Sequence, residues 1–173
     1  MPNDERIFLG LGSNIDDRYQ YLKRGIQLLK AHPHIWVLNK SHVYESAAMY
    51  NLNQEEFYNM VIEIDTNLIP IELLNEVKIM EDVVGRDLSK AKNMPRKLDI
   101  DILSIGNMQI ESSVLNIPHS KIHERKFVLK PWRDIAPNHC LPGSSASITE
   151  LLQKLDDPTP VRMVLILDKE ESN

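Results

Sequence analysis

The chain has 173 residues, of which 42% are hydrophobic and 26% charged, and its formal net charge is −5. This length and composition predict a single globular domain over residues 1–173, and the acidic balance argues against a general binder of nucleic acid or anionic membranes. No apolar run approaches the roughly 20 residues needed to cross a bilayer. The single cysteine, Cys140, excludes an intrachain disulfide, and we expect a cytoplasmic location.

The first 46 residues predict a strand, a helix and a second strand. Residues 7–11 form an apolar run that ends in Gly-Ser-Asn, which indicates a buried strand followed by a turn. Asp16 and Asp17 favour the N-terminus of a helix, which should end near residues 32–33. Residues 35–46 are rich in aromatic and β-branched side chains and predict one strand. The apolar stripe of the helix consists of Leu22, Ile26 and Leu29.

A clearer strand begins at residue 57, because apolar and other side chains alternate there. The alternation places Phe57 and Asn59 on the opposite face from four apolar residues. Those four are Tyr58, Met60, Ile62 and Ile64. Pro70 suits the first turn of a second helix, and Gly85 is a suitable C-terminal stop.

The rest of the chain mixes short elements with loops. Residues 86–97 are basic and aperiodic, which predicts a mobile loop, and residues 98–103 predict a strand. Gly106-Asn107 predicts a hairpin turn into residues 108–110. Further expected elements are short helices near 120–130 and 148–155, a last strand over 161–167, and a frayed tail over 168–173.

The order of these elements is β-α-β-β-α-β with a C-terminal extension. This order predicts an α+β, ferredoxin-like fold, in which an antiparallel sheet carries its helices on one face. The other face would then be available for a ligand.

Two aspartates in the strand at 98–103 are the strongest chemical signal. Asp99 and Asp101 should share one face, about 7 Å apart at Cα, while Leu98, Ile100 and Ile102 face the helices. Paired carboxylates completed by water and phosphate oxygens commonly hold Mg²⁺. A solvated outer face of an edge strand would have the same pattern, but the basic loop just before the pair favours a metal–phosphate site.

Three blocks of sequence together resemble the 6-hydroxymethyl-7,8-dihydropterin pyrophosphokinase family of folate biosynthesis. They are GLGSN (10–14), GR…KNMPRKLDIDIL (85–103) and IPHSKIHERKFVLKP (117–131). The resemblance implies transfer of a diphosphate from ATP to the hydroxymethyl group of a reduced pterin, releasing AMP. It implies ATP and the pterin as partners, two Mg²⁺ ions and a monomer.

The resemblance also implies roles for individual residues. Asp99 and Asp101 match the two Mg²⁺ ligands, and with Arg96 and Arg125 they form the catalytic set. The matched ATP contacts are Lys78, Glu81, Arg86, Arg96, Ile102, His119, Ser120 and Arg125. The matched pterin contacts are Ser46, Ala47, Met49, Phe57, Asn59 and Phe127.

Apart from the resemblance, the residue types allow more than one role at some of these positions. Two aromatic rings could stack on a flat pterin, at roughly 1–3 kcal/mol per ring by analogy with bases, and an amide such as that of Asn59 can donate and accept at its edge. Phe57 and Phe127 could instead be core residues, and His119 a capping or surface residue. Glu81 could simply pair with Lys78 one turn away.

Several positions depart from well-known bacterial members of that family. Lys78 stands where glutamine is common, Ser120 where an aromatic residue follows the histidine, and Ser46-Ala47 where Thr-Pro is common. Leu88, Asn93 and Met94 differ within the basic loop. These departures bear on substrate affinity and loop closure, whereas the aspartate pair is intact.

Two other functions are compatible with the residues alone. One is a Mg²⁺-dependent phosphohydrolase that uses the same carboxylate pair. The other is a non-catalytic ferredoxin-like module that binds a nucleotide or a partner protein.

Overall fold

The computed structural model describes residues 5–49, 53–85 and 95–165. The first part of the chain contains β1 (Ile7–Ser13), α1 (Arg18–Ala31), β2 (Ile35–Lys40), β3 (Val43–Ser46) and β4 (Phe57–Thr66). The second part contains α2 (Pro70–Val84), β5 (Asp99–Ile105), β6 (Ile110–Glu111), β7 (Asn116–Ile117), a 3-10 turn (Ile122–Glu124), α3 (Lys126–Ile135), α4 (Ile148–Lys154) and β8 (Val161–Leu165).

Local chemistry sets the ends of the two long helices as the sequence predicts. Asp17 caps α1, since its carboxylate accepts a hydrogen bond from the Gln20 N–H at 3.2 Å. Pro70 is the first residue of α2, and Gly85 follows its last turn with φ at 103°, a left-handed conformation that glycine adopts at low cost.

The strands form a sheet in the order β5-β1-β4-β3-β8, with β2 also paired to β4. Every strand pairing within this sheet is antiparallel among the described residues. The predicted ferredoxin-like βαββαβ arrangement is therefore confirmed.

Helices pack on both faces of the sheet. α1 and α2 cover one face over a core that includes Leu22, Leu73 and Ile100. α3 and α4, from the C-terminal extension, pack on Phe8 and Val61 of the other face. The two helices leave the rest of the second face, in front of other residues of β1 and β4, uncovered. The extension therefore covers part of this face and forms one wall of the uncovered part.

Several predicted elements have different boundaries in the structure. The strand predicted over 35–46 is divided into β2 and β3, because Ser41 bonds to Val61 through both its backbone N–H and its hydroxyl, each at 2.9 Å. The predicted hairpin at 106–110 is wrong. The chain turns there, with the Met108 N–H donating to the Ile105 carbonyl, but β6 pairs with β7.

The remaining expectations are partly covered by the described residues. The helix expected near 120–130 becomes the 3-10 turn followed by α3, which continues to Ile135. The end of the last predicted strand, the tail at 168–173 and residues 86–94 of the basic loop lie outside the described residues. Among the described residues, every helix is too short or too polar to cross a membrane.

Candidate active site

Asp99 and Asp101 project from the same face of β5 into one cavity of about 240 Å³. Between them, Ile100 points to the opposite face and joins the core under α1 and α2. The strand alternation predicted from the sequence is thus confirmed. Across the pairing with β1, Asp99 lies opposite Gly12 and Asp101 opposite Gly10, so that no side chain from the neighbouring strand fills the space beside the two carboxylates.

Each aspartate has an arginine beside it. The Arg96 Nη1 atom lies 2.9 Å from Asp99 Oδ1, and the Arg125 Nη1 atom lies 3.6 Å from Asp101 Oδ2. His119 reaches the same region because its backbone N–H donates to the Leu103 carbonyl at 2.9 Å. All these residues line the same cavity, so the predicted catalytic set is brought together.

The charges in this cavity favour a bound cation. Burial raises the pKa of Asp101, and the neighbouring Asp99 carboxylate raises it further, although His119, Lys78 and Arg125 act in the opposite direction. A divalent ion would relieve this repulsion. Among the described residues, no group of three or more histidine, cysteine, aspartate or glutamate side chains is arranged to hold a metal ion on its own. The pair therefore suits Mg²⁺, which usually keeps water and phosphate oxygens in its coordination shell.

The other half of the cavity combines aromatic side chains with a buried amide. Asn59 is buried, and its Nδ2 atom donates to the Ser46 hydroxyl at 3.0 Å. The predicted ring contacts Ser46, Ala47, Met49, Phe57, Asn59 and Phe127 all line this cavity. We call the part of the cavity that these six residues line the ring cavity.

A second cavity, of about 200 Å³, lies on the outer side of β5. It shares Asp101 and His119 with the first cavity. Four of the predicted ATP contacts line it, namely Lys78, Ile102, His119 and Ser120. We call this second space the outer cavity. A molecule that extends from the outer cavity to the ring cavity would pass Asp101 and His119, the two residues that both spaces share.

Glu81 lines neither cavity, although it was expected among the ATP contacts. It is fully buried, and its Oε1 atom accepts hydrogen bonds from the Ile100 N–H at 2.7 Å and from Lys78 Nζ at 2.9 Å. Its pairing with Lys78 matches the alternative reading from helical spacing. Arg86, another expected ATP contact, lies outside the described residues.

Two residues of the GLGSN block contribute in ways that the sequence did not predict. Gly12 leaves room beside Asn59, because a Cβ atom at Gly12 would lie 3.2 Å from Asn59 Oδ1. Asn14 is buried and holds Arg96 in place, since its Oδ1 atom accepts from the Arg96 N–H at 2.7 Å. Its Nδ2 atom donates to Gln54 Oε1 at 2.8 Å. The block contributed to the family resemblance in the sequence, but only the fold reveals these contacts.

A family model described as 7,8-dihydro-6-hydroxymethylpterin-pyrophosphokinase (HPPK) matches residues 8–137. The chain belongs to the HPPK family. This match includes β1 through α3, and with them the residues that line both cavities.

Relatives of similar length support the same assignment. The chain is 36% identical over 151 residues to the 2-amino-4-hydroxy-6-hydroxymethyldihydropteridine pyrophosphokinase of Methylorubrum extorquens, covering 87% of this chain and 94% of the relative. For the enzyme of that name from Aquifex aeolicus the identity is 39% over 132 residues, covering 76% and 81%.

Other relatives are much longer than this chain. It is 36% identical to the folic acid synthesis protein fol1 of Pneumocystis carinii, covering 90% of this chain and 21% of that protein. This chain spans only a fifth to two fifths of the length of this and several other such relatives. A solved HPPK-DHPS structure from Plasmodium falciparum, with pteroate, has a TM-score of 0.68 and 16% identity, covering 87% of this chain and 42% of that one. This likeness supports the fold.

Proposed function

We propose that this HPPK-family chain transfers a diphosphate from ATP to 6-hydroxymethyl-7,8-dihydropterin and releases AMP. One observation carries the proposal, namely that the first cavity, which contains the ring cavity, shares Asp101 and His119 with the outer cavity. A pterin in the first cavity and the adenosine of ATP in the second would place the triphosphate beside the carboxylate pair. We infer that the chain works as a monomer.

In this proposal the ring cavity holds the pterin by its faces and its edge. Phe57 and Phe127 supply aromatic surface for stacking. Asn59 supplies an amide that can donate and accept at the pterin edge, and its bond to Ser46 fixes its orientation. Ala47 and Met49 complete the wall.

In the outer cavity, Ile102 supplies apolar surface for the adenine, and Lys78 and Ser120 supply polar groups at the rim. We infer that Asp99 and Asp101 hold two Mg²⁺ ions, which when bound would neutralise phosphate charge and align the triphosphate. Arg96, Arg125 and His119 would bind the phosphate oxygens, as arginine does well because of its planar guanidinium.

The reaction itself is a direct displacement. The hydroxymethyl oxygen of the pterin attacks the β-phosphorus of ATP, and the bond from that phosphorus to the oxygen bridging to the α-phosphate breaks. The bridging oxygen leaves with AMP, and the hydroxyl proton passes to solvent. The protein contributes alignment and charge stabilisation, the two terms that dominate phosphoryl transfer.

Product analysis tests this proposal against its alternatives. With ATP, Mg²⁺ and 6-hydroxymethyl-7,8-dihydropterin, we expect AMP to form in equal amount to pterin diphosphate, and only when the pterin is present. Release of phosphate without pterin would instead indicate a phosphohydrolase. Binding of ATP and pterin with no product would indicate a non-catalytic module.

Removal of either carboxylate charge should abolish turnover. We expect Asp99→Asn and Asp101→Asn each to lower kcat by at least about 100-fold, because the metal–phosphate contacts act mainly in the transition state. Calorimetric titration with Mg²⁺ and an ATP analogue should show weaker metal binding. The control is Asp65→Asn, an exposed residue of β4 whose bond to the Thr66 N–H an amide can keep. Equal kcat in all three variants would contradict the proposal.

A further inference from the structure

The last part of the described chain packs against the ring cavity from outside. Residues 155–165, which we call the C-terminal strap, lie beyond the region that the family model matches. The strap ends in β8, which pairs with β3 so that Val161 lies opposite Ser46. Ser46 in turn accepts the hydrogen bond from Asn59, so the strap is one residue pair away from the group proposed to bind the pterin edge.

Two lysines of α3 fasten the strap to a second wall of the ring cavity. Lys126 Nζ donates to the Asp157 carbonyl at 2.7 Å and to the Thr159 carbonyl at 3.1 Å. Lys130 Nζ, one turn later, donates to the Val161 carbonyl. Lys126 stands between Arg125 and Phe127, both of which line the cavity. The strap therefore braces the start of α3 as well as β3.

An ion-pair cluster connects the strap to a third wall. Arg162 Nη2 lies 2.5 Å from Glu45 Oε1 and 3.3 Å from Glu56 Oε2. Glu56 directly precedes Phe57. The side chain of Arg162 is 67% exposed, however, and exposed ion pairs contribute little. The bonds from the partly buried lysines to backbone carbonyls should therefore hold the strap more firmly than this cluster does.

We propose that the C-terminal strap is a positioning element of the ring cavity, and that Lys126 and Lys130 are its principal positioning residues. The strap contacts β3, the residue before β4 and the start of α3, and these elements carry Ser46, Phe57, Asn59 and Phe127 of the ring cavity. This inference rests on the proposed function, because it assigns the strap to affinity for the pterin. Among the described residues, Arg125 is the one proposed ATP contact that lies beside a segment held by the strap, so affinity for the nucleotide should depend on the strap less than affinity for the pterin does.

The test compares binding of the two substrates in matched lysine variants. Lys126→Met and Lys130→Met keep most of the side-chain length and remove the N–H donor. Lys126→Arg keeps a charged N–H donor at the same position. Lys154→Met, at an exposed position of α4, is the control. Calorimetry would give Kd for a non-hydrolysable ATP analogue with Mg²⁺, and then Kd for 6-hydroxymethyl-7,8-dihydropterin in its presence. Thermal unfolding would be recorded for each variant.

We expect Kd for the pterin to rise about three- to tenfold in Lys126→Met and Lys130→Met, since the first loses two charge-assisted hydrogen bonds and the second loses one. Kd for the ATP analogue should rise less than about twofold, and Lys126→Arg should bind the pterin nearly as tightly as the wild-type chain. Unchanged pterin binding would overturn the strap's role. So would an equal loss for both ligands together with a fall in Tm, because that pattern indicates general destabilisation. Failure of the wild-type chain to bind the pterin would overturn the proposed function itself, and the strap's role with it.

Discussion

Gly12 and Asn59 face each other across the pairing of β1 with β4, and the missing side chain of Gly12 keeps the amide of Asn59 accessible. A Cβ atom at Gly12 would lie 3.2 Å from Asn59 Oδ1 and 3.6 Å from Phe57 Cδ1. The glycine therefore matters here for the space it leaves beside two proposed ring contacts.

Gly12→Ala should weaken pterin binding selectively. The added methyl group would displace the Asn59 amide by a few tenths of an ångström, and we expect KM for the pterin to rise about tenfold, since a buried hydrogen bond contributes on the order of 1 kcal/mol. KM for ATP should stay the same. Steady-state kinetics with each substrate varied in turn would check this, and an equal change in both KM values would contradict it.

At the scale of single residues, alternation was the most informative sequence signal. It placed Asp99 with Asp101, and Phe57 with Asn59, on the correct faces, because the period of a strand is two. It could not predict the contacts of Asn14 with Arg96 and Gln54, which join residues 82 and 40 positions apart. Glu81 was expected at the nucleotide, but helical spacing alone could not reveal its bond to Ile100.

At the scale of elements, β5 forms one edge of the sheet, and two side chains of α2 bond to backbone groups of that edge. Glu81 accepts the Ile100 N–H, and Lys78 donates to the Ile100 carbonyl at 3.2 Å. The two peptide groups that they hold, on either side of Ile100, lie between the two aspartates. The pair therefore restrains the strand segment that carries the proposed metal ligands.

Glu81→Leu should loosen this segment. It removes the acceptor for a buried N–H and leaves Lys78 without this carboxylate, so we expect a loss of about 1–3 kcal/mol in the free energy of unfolding. We also expect a higher Mg²⁺ concentration to be needed for half-maximal activity. Urea unfolding and Mg²⁺ titrations would measure both effects. Glu81→Gln keeps an acceptor and should lose less; if it matched Glu81→Leu, the restraint would not depend on that bond.

Elements that depend on distant contacts were predicted less well than those with a local signal. For α2, the local sequence itself marks the two ends of the helix, at Pro70 and Gly85. In contrast, the break between β2 and β3 arises from the bonds of Ser41 to Val61, and nothing in residues 35–46 marks it. The turn at 106–107 was recognised, but its local chemistry could not show that β6 would pair with β7.

For the whole molecule, the second face of the sheet divides into functional and structural regions along β4. Asn59 lies in the ring cavity, Val61 packs under α3, and Glu63 forms an ion pair with Arg6. Glu63 is buried and accepts hydrogen bonds from Arg6 Nε at 2.6 Å and Asn39 Nδ2 at 2.7 Å. The Arg6 guanidinium also donates to the Ile135 carbonyl, so this cluster ties the end of α3 to the sheet.

The Glu63 cluster should give the fold a defined acid sensitivity. Burial alone would raise the pKa of Glu63, but hydrogen bonds from Arg6 and Asn39 bring it below the ordinary value of 4.5. A lowered carboxyl pKa in the folded state stabilises the protein above pH 4.5, and this contribution is lost as the pH falls through the folded-state pKa.

Glu63→Gln should therefore lower the free energy of unfolding by about 2 kcal/mol at pH 7, with a difference that shrinks as the pH falls below 4.5. Urea denaturation from pH 7 to pH 3 would measure it. Glu111→Gln, at an exposed position, is the control and should match the wild type throughout. A difference that stayed constant with pH would show that the Glu63 charge does not stabilise the fold.

The two tryptophans of the chain report on opposite environments. Trp132 is fully buried in α3, with its ring centroid 5.0 Å from that of Phe8, whereas Trp36 on β2 is 48% exposed. A Trp36→Phe chain would hold a single indole at the contact between α3 and the sheet. Its fluorescence would then report directly how α3 packs on the sheet. This is a label-free optical signal for the wall of the ring cavity that α3 forms.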